Sequence, residues 1–369
     1  MDIADIRADI PAVEHLYANW GASGPSPTRV VDRIEETVEH HEYDAPREEG
    51  MYPAAYDRFD RTRASVASFL GAADEEIALT QSTTDGINRI ANARSWSPDD
   101  EVVITDLEHA AGIVPWYALE REHGVDVTVL ETEAGRIDPE ALSEAAADAS
   151  LVCFSAVDWT YGRRHPVADL VDVARDAGAM TLVDAVQAPG QMPVDVADWG
   201  ADVVVGAAHK WLLGPWGAGF LYVREEVAES LAPRTIGGRG VSEYGDGALE
   251  YEPGARRFEL STTNPGPYAG LMEAINLLSA VGLDTIEDRI ASLTHRFKAT
   301  VPSERLLSPT EYHSGLVSVR TENPEETVER LADREIHVRS LPVPNTVRVS
   351  LHAVNTEAEV DELAAALTE

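Results

Sequence analysis

Lys210 sits in the stretch AAHKWLLGPWGAG (207–219), directly after the apolar run ADVVVG. It is one of only two lysines in the chain, the other being Lys298. Most lysines are solvating surface charges, and here arginine has taken over nearly all of that work. An amine at the end of an apolar strand, desolvated by Trp211 and Trp216, is expected to have a lowered pKa and to serve as a nucleophile. Other polar groups follow apolar runs in the same way. Asp184 and Gln187 come after AMTLV, His209 and Lys210 after ADVVVGAA, TQSTTDGIN after EIAL, and DLEHAAG after EVVIT. Each has a bland reading alone: a turn aspartate, a core histidine, a helix N-cap at Ser82-Thr83-Thr84. Their recurrence at the ends of four strands is what points to a site.

The elements that must position them alternate from about residue 76. Apolar runs EIALTQ, EVVITD, VDVTVLE, SLVCFSAV, AMTLVDAV, ADVVVGA and AGFLYV are separated by helical patterns such as ALEREHG, PEALSEAAADA and VADLVDVARDAG. Near-continuous apolar strands with amphipathic helices between them predict an α/β fold, a mostly parallel seven-stranded sheet covered by helices on both faces. Ligands in such sheets bind beyond the carboxyl ends of the strands. Residues 20–265 are expected to form this large domain. Residues 1–19 and 266–369 read as a smaller α+β domain, with helices over LMEAINLLSAVG and about 285–296, strands LVSVRT and TVRVSL, and a closing helix EAEVDELAAALTE.

Composition bounds the partners. With 65 Asp+Glu against 29 Lys+Arg, the formal net charge is −36. Such a field disfavours nucleic acid and anionic membranes. The acids are spread along the chain, the pattern expected of a halophilic protein that stays hydrated in concentrated salt. The acidic start MDIADIRADI has no targeting character, and no apolar run reaches membrane-spanning length, so a cytoplasmic location is expected. A single cysteine, Cys153, excludes an internal disulfide framework or a multi-cysteine metal site. No Gly-rich fingerprint for a nucleotide opens the first strand-to-helix turn.

An amine nucleophile in this setting suits pyridoxal 5'-phosphate (PLP). That cofactor needs a carboxylate against its pyridinium nitrogen, a flat group on its ring and an anion cradle for its phosphate. Asp184 can supply the first and His109 the second. Ser82, Thr83 and Thr84 can supply the third, because hydroxyls and free backbone N–H groups converge where a helix begins. Over nearly its whole length the sequence resembles the class V aminotransferase family of fold-type I PLP enzymes, which includes cysteine desulfurases and isopenicillin N epimerase-like proteins. The resemblance is carried by LYANWGASGPSP, LTQSTTDGIN, LEHAAG, LVDAVQ, AAHKWLLGPWGAGFLYV, RFELSTTNP and VRVSLHAVNTEAEVD.

The resemblance implies that Lys210 holds PLP covalently, Asp184 bonds its ring nitrogen, Gln187 reaches its ring hydroxyl and His109 stacks on its face. Thr83, Thr84 and His209 are implied phosphate contacts, and Thr262 is implied to reach the phosphate of a neighbouring subunit, making a homodimer. Arg348 is implied to clamp the α-carboxylate of an amino-acid substrate, with Asn19 near the substrate end. The pattern also departs from the family. REIHVRSLPVPNTVRVS lacks the loop cysteine of desulfurases, and Cys153 reads as a core residue, which argues against a persulfide-forming desulfurase. Ala207 stands where a phosphate-binding serine is usual, with Ser82 as a possible replacement. Asp158 and Trp159 occupy a turn that usually carries asparagine. Arg239, Arg256 and Arg257 could approach the entrance but read better as ordinary ion pairs. The expected activity is therefore α-proton abstraction from an amino acid in the aminotransferase style, with C–S lyase, epimerase-like or non-turnover roles as alternatives.

Overall fold

In the computed structural model of the chain, which describes residues 1–343 and 345–368, the seven apolar runs form one sheet. Its strands are β1 (Ile77–Thr80), β2 (Glu101–Thr105), β3 (Asp126–Leu130), β4 (Leu151–Ser155), β5 (Met180–Asp184), β6 (Val203–Ala207) and β7 (Gly219–Val223). They lie in the order β1-β7-β6-β5-β4-β2-β3. The pairs from β6 to β3 are all parallel, whereas β7 runs antiparallel to both β6 and β1. The reason is local: β7 follows β6 after a short loop, with no helix to carry the chain back to the other end of the sheet.

The pleat sorts alternate residues to two cores. Val103, Val152, Phe154, Val183, Val204 and Phe220 face one side, where Val167–Asp176 packs through Leu170, Val171 and Ala174. Val102, Ile104, Cys153, Leu182, Val205 and Leu221 face the other, against Ile87 and Ile90 of Thr83–Ala91 and Trp116 of Val114–His123. Cys153 is fully buried here.

A second sheet joins β8 (Leu316–Arg320), β9 (Arg339–Ser340) and β10 (Thr346–Ser350) in the antiparallel order β8-β10-β9. Leu293, Phe297, Leu331, Val360 and Leu363 of three helices cover it. The N-terminal segment is stitched to this unit: Leu16–Tyr17 pairs with Ile336–His337, and Asn19 bridges to Ser350. Helix Gly266–Val281 packs against Thr28–Glu39 and Met51–Leu70. A hairpin, Val241–Gly245 with Ala248–Tyr251, is an addition to the sequence expectation. Its signal is Asp246-Gly247, at φ of 48° and 90°, the left-handed pair a tight hairpin needs. Among the described residues, no single helix is long and apolar enough to cross a membrane.

Two contacts set the rim of the main sheet. The Gly24 N–H donates to the His209 carbonyl at 2.6 Å. A Cβ at Gly24 would lie 2.2 Å from the Lys210 carbonyl oxygen, so only glycine permits this approach. On the other flank, buried Glu259 takes Arg63 at 2.8 Å, Arg239 at 2.7 Å and the Leu79 N–H at 3.1 Å. This fixes the 259–264 segment against β1. Glu259→Ala strips buried Arg239 of its acid and leaves buried Arg63 with only the exposed Asp60, and is expected to cost about 3–5 kcal/mol. Denaturant unfolding checks this, and a loss below about 1 kcal/mol contradicts a buried, interdependent network.

Candidate active site

The strand ends converge as the sequence implied. A cavity of about 230 Å³ opens beyond the carboxyl edge of the sheet. β1 delivers Ser82, Thr83 and Thr84, β2 delivers His109, β5 delivers Asp184 and Gln187, and β6 delivers His209 and Lys210. Trp159 follows β4, while Arg339 and Arg348 reach in from the second sheet. A smaller cavity of about 70 Å³ lies by the Glu259 network, outside this constellation.

Asp184 ends β5 and is 3% exposed; among the described residues its Oδ1 accepts only the Val186 N–H, at 2.9 Å. Burial pushes its pKa up, opposed by that N–H and by Lys210. The Lys210 amine makes no ion pair or hydrogen bond among the described residues. Burial lowers its pKa to about 8; Asp184 resists the shift, while Arg348 and Arg339 add to it. His109 also has a lowered pKa, from burial and then from Lys210 and the two arginines. Its Nδ1 accepts the Ala111 N–H at 3.4 Å, and Trp159 meets its ring edge-on at 5.4 Å.

The tryptophans divide the work differently from the expectation. Trp216 lines the cavity but is 71% exposed, stacking on His209 at 4.7 Å. Trp211 is fully buried behind Gln187 and does not line the cavity. Desolvation of Lys210 therefore comes from the cavity walls rather than from both indoles. Burial takes His209 down to about 4, so it is neutral at pH 7.

At the helix start, Ser82 is the N-cap, its Oγ accepting from the Asp85 N–H at 3.1 Å. The Thr83 Oγ1 is buried without a partner among the described residues. Opposite, Arg348 is 1% exposed; its Nη1 donates to the Trp159 carbonyl at 2.9 Å, while its Nε and Nη2 have no partner. Burial, then Arg339, lowers its pKa to about 9, so it stays charged at pH 7. Asp158 is a turn former: it accepts the Thr160, Tyr161 and Arg163 N–H groups and holds the Trp159 turn.

Several expected residues lie apart from the cavity. Asn19 sits in the neighbouring turn, where Gly21 and Ala22 do the lining. Its Oδ1 is buried without a partner among the described residues, and its backbone bridges to Ser350. Thr262 is exposed and outside the cavity of its own chain. Ala207 ends β6 and contributes no hydroxyl. Arg239 is absorbed by Glu259, Arg257 donates to the Ala228 and Leu231 carbonyls, and Arg256 lies 4.0 Å from Glu252.

Sequence reasoning missed two groups. Glu108, immediately before His109, is buried and bonds Thr105 and Ser155 at 2.7 Å each, tying the ends of β2 and β4 beside Asp184. Burial raises its pKa to about 8, so it is a neutral acid at pH 7. Arg339 was the other. It pairs directly across β9–β10 with Arg348, and it has no ion pair among the described residues.

Orphaned donors on Arg348 and Thr83, a buried carboxylate and an uncommitted amine on one cavity fit a flat, phosphorylated pyridine aldehyde. This arrangement defines a PLP-dependent enzyme of the fold-type I kind. The class V aminotransferase family model matches residues 16–363, and the chain belongs to that family. A probable cysteine desulfurase of Methanothermobacter thermautotrophicus is 31% identical, covering 100% of this chain and 98% of the relative. A cysteine desulfurase of Pectobacterium atrosepticum is 31% identical over 99% of this chain and 97% of its own. Among solved structures, the apo cysteine desulfurase of Thermococcus onnurineus NA1 superposes with a TM-score of 0.89 at 29% identity, covering 98% and 96% of the two chains. The cystine C–S lyase C-DES, solved with cysteine persulfide, has a TM-score of 0.90 at 23% identity over 96% and 97%, a likeness of fold.

The cofactor is therefore PLP, and Lys210, the buried and uncommitted amine on the cavity, is the residue that would hold it. Trapping with borohydride should label wild type and fail in Lys210→Ala. In apoprotein reloaded with PLP, the rate of covalent capture should rise about tenfold per pH unit and level off above about pH 8, because only the neutral amine reacts. A plateau delayed to about pH 10 would mean the amine is not desolvated.

Proposed function

We propose that the enzyme is a C–S lyase that eliminates sulfur from a cystine-like amino acid carrying two carboxylates. The observation that carries this reading is the Arg339–Arg348 pair. Like charges directly opposed across two strands destabilise a sheet, and neither arginine has an acid partner among the described residues. Both open on the cavity. A substrate with a carboxylate at each end relieves both. Arg348, buried and preset by the Trp159 carbonyl, takes the α-carboxylate as a two-donor fork. Arg339, exposed at the mouth, takes the distal one.

The relatives support carbon–sulfur chemistry over the aminotransferase reading: the quoted curated proteins carry the name cysteine desulfurase. The thiol works against desulfuration itself. Cys153 is locked in β4, paired with Leu182 and Ile104, and no cysteine stands between Arg339 and Arg348 to accept sulfur. Elimination needs no protein thiol. When bound, PLP supplies the electron sink attached to the substrate nitrogen. Lys210, as a neutral amine, takes the α-proton. Asp184 supplies the negative charge that keeps a ring proton in place. The Cβ–Sγ bond breaks with its electron pair on sulfur, which leaves as cysteine persulfide. Water releases the remaining fragment as pyruvate and ammonia.

The homodimer belongs to the same proposal, with exposed Thr262 facing the cavity of a second copy. Sedimentation of the holoenzyme as a monomer would remove it.

Incubating holoenzyme with L-cystine should give pyruvate and cyanide-reactive sulfane sulfur in equal amounts. L-cysteine and L-alanine should react far more slowly. Activity that requires an added keto acid would instead mean transamination. Arg339→Ala should raise the KM for cystine about tenfold, one partly exposed charge contact of roughly 1.4 kcal/mol, with kcat little changed. An unchanged KM removes the distal carboxylate from the proposal.

A further inference from the structure

Gln187 is held from both ends of its amide. Its Oε1 accepts the indole N–H of Trp211 at 2.7 Å, and its Nε2 donates to the Gly21 carbonyl at 3.0 Å. An amide's oxygen and nitrogen usually have to be assigned from context, and here the context allows one answer. An indole N–H can only donate and a backbone carbonyl can only accept. One N–H of the Gln187 amide remains uncommitted, and Gln187 lines the cavity.

The indole has no freedom to release its hold. Trp211 and Trp20 are fully buried, and His352 lies between them, 6.0 Å and nearly parallel to Trp211, 5.1 Å from Trp20. His352 Nδ1 accepts the Val354 N–H at 3.5 Å, which leaves the Nε2–H to donate to the Trp211 carbonyl at 3.1 Å. Burial keeps this imidazole neutral, with its pKa lowered to about 4. A Cβ at Gly315 would lie 2.7 Å from the indole, so that face is closed too. Gln191 donates to the Gln187 carbonyl and accepts the Gly315 N–H at 2.8 Å.

We propose that Trp211 is a positioning residue: it fixes the Gln187 amide so that the cavity meets a hydrogen-bond donor and never an acceptor. Such a donor favours the ionised form of an oxygen on the cofactor ring. Trp211 touches neither cofactor nor substrate, and its effect passes through Gln187. The inference rests on the cofactor alone and stands whichever amino acid is cleaved.

The test is a pH titration of the visible absorbance of the holoenzyme. The other charged or titratable groups on the cavity, Asp184, Lys210, His109, His209, Arg339 and Arg348, are common to all variants. Trp211→Phe keeps the packing and removes the N–H. Its absorbance midpoint should move up by about half to one pH unit, a three- to tenfold change in the equilibrium and the size expected for one hydrogen bond. Gln187→Met should move the midpoint in the same direction, and the double variant should move it no further. An unmoved midpoint in a folded Trp211→Phe holoenzyme, or additive shifts, overturns the proposal. If Trp211→Phe does not fold, Gln187→Met decides. Its loss of the acceptor should shift one indole N–H resonance among the seven tryptophans upfield, and seven unchanged resonances overturn the proposal.

Discussion

A buried guanidinium that bonds no acid among the described residues is the constraint around which this site is arranged. Arg348 is almost wholly removed from water, gives one hydrogen bond to a carbonyl and leaves two nitrogen positions unmet. Removing a charge from water costs several kcal/mol unless something compensates it. Asp158, which a simpler design would use as its counter-ion, is spent on three backbone N–H groups of the next turn. Asp158 therefore acts on the guanidinium only through space, opposing the fall in its pKa. Arg339, directly across the strand pair, sharpens the same demand.

Across the cavity the carboxylate obeys the reverse logic. Asp184 is buried with a single N–H for company, next to a carboxyl group, Glu108, that burial keeps protonated. If Glu108 were ionised as well, two buried anions would face each other across the end of β4, which lies between β2 and β5. Keeping it neutral lets it bond the Thr105 and Ser155 hydroxyls and knit β2 to β4 without opposing Asp184. The uncommitted amine of Lys210 lies between a buried acid and two buried or cavity-facing arginines. Its lowered pKa is the balance of burial and cationic neighbours against one acid.

The legible part of this architecture was whatever local pattern dictates. Continuous apolar runs gave the seven strands, and polar residues immediately after them marked the cavity edge, because a parallel sheet puts those ends together. What stayed hidden depends on long-range pairing. The antiparallel sense of β7 follows from a loop too short to hold a helix. The 241–251 hairpin was passed over although Asp246-Gly247 announces it. Arg339 drew no reading, because its place comes from a register with Arg348 that sequence spacing does not state. Trp211 next to Lys210 suggested a cavity wall. In fact the chain reverses after Lys210, with Leu213 at a φ of 59°, and the indole turns inward. The class of chemistry was readable from Lys210, Asp184 and His109; the proposal of carbon–sulfur cleavage over transamination draws on relatives and on two strands meeting.

The remaining tension is between the cavity and the surface around it. A chain of formal charge −36 repels the dicarboxylate that we propose as its substrate. The two fields differ in range and in exposure to salt. Surface carboxylates act through water, where screening confines them to roughly 8 Å at physiological ionic strength and about 3 Å at 1 M. Arg348 acts inside the protein, where salt screens little. Added salt therefore weakens the repulsion on approach more than the attraction on arrival, and Arg339, exposed at the mouth, is the one cationic element that loses with it. On the proposed reading, the buried charge at Arg348 is therefore the part of the cavity's attraction that salt changes least.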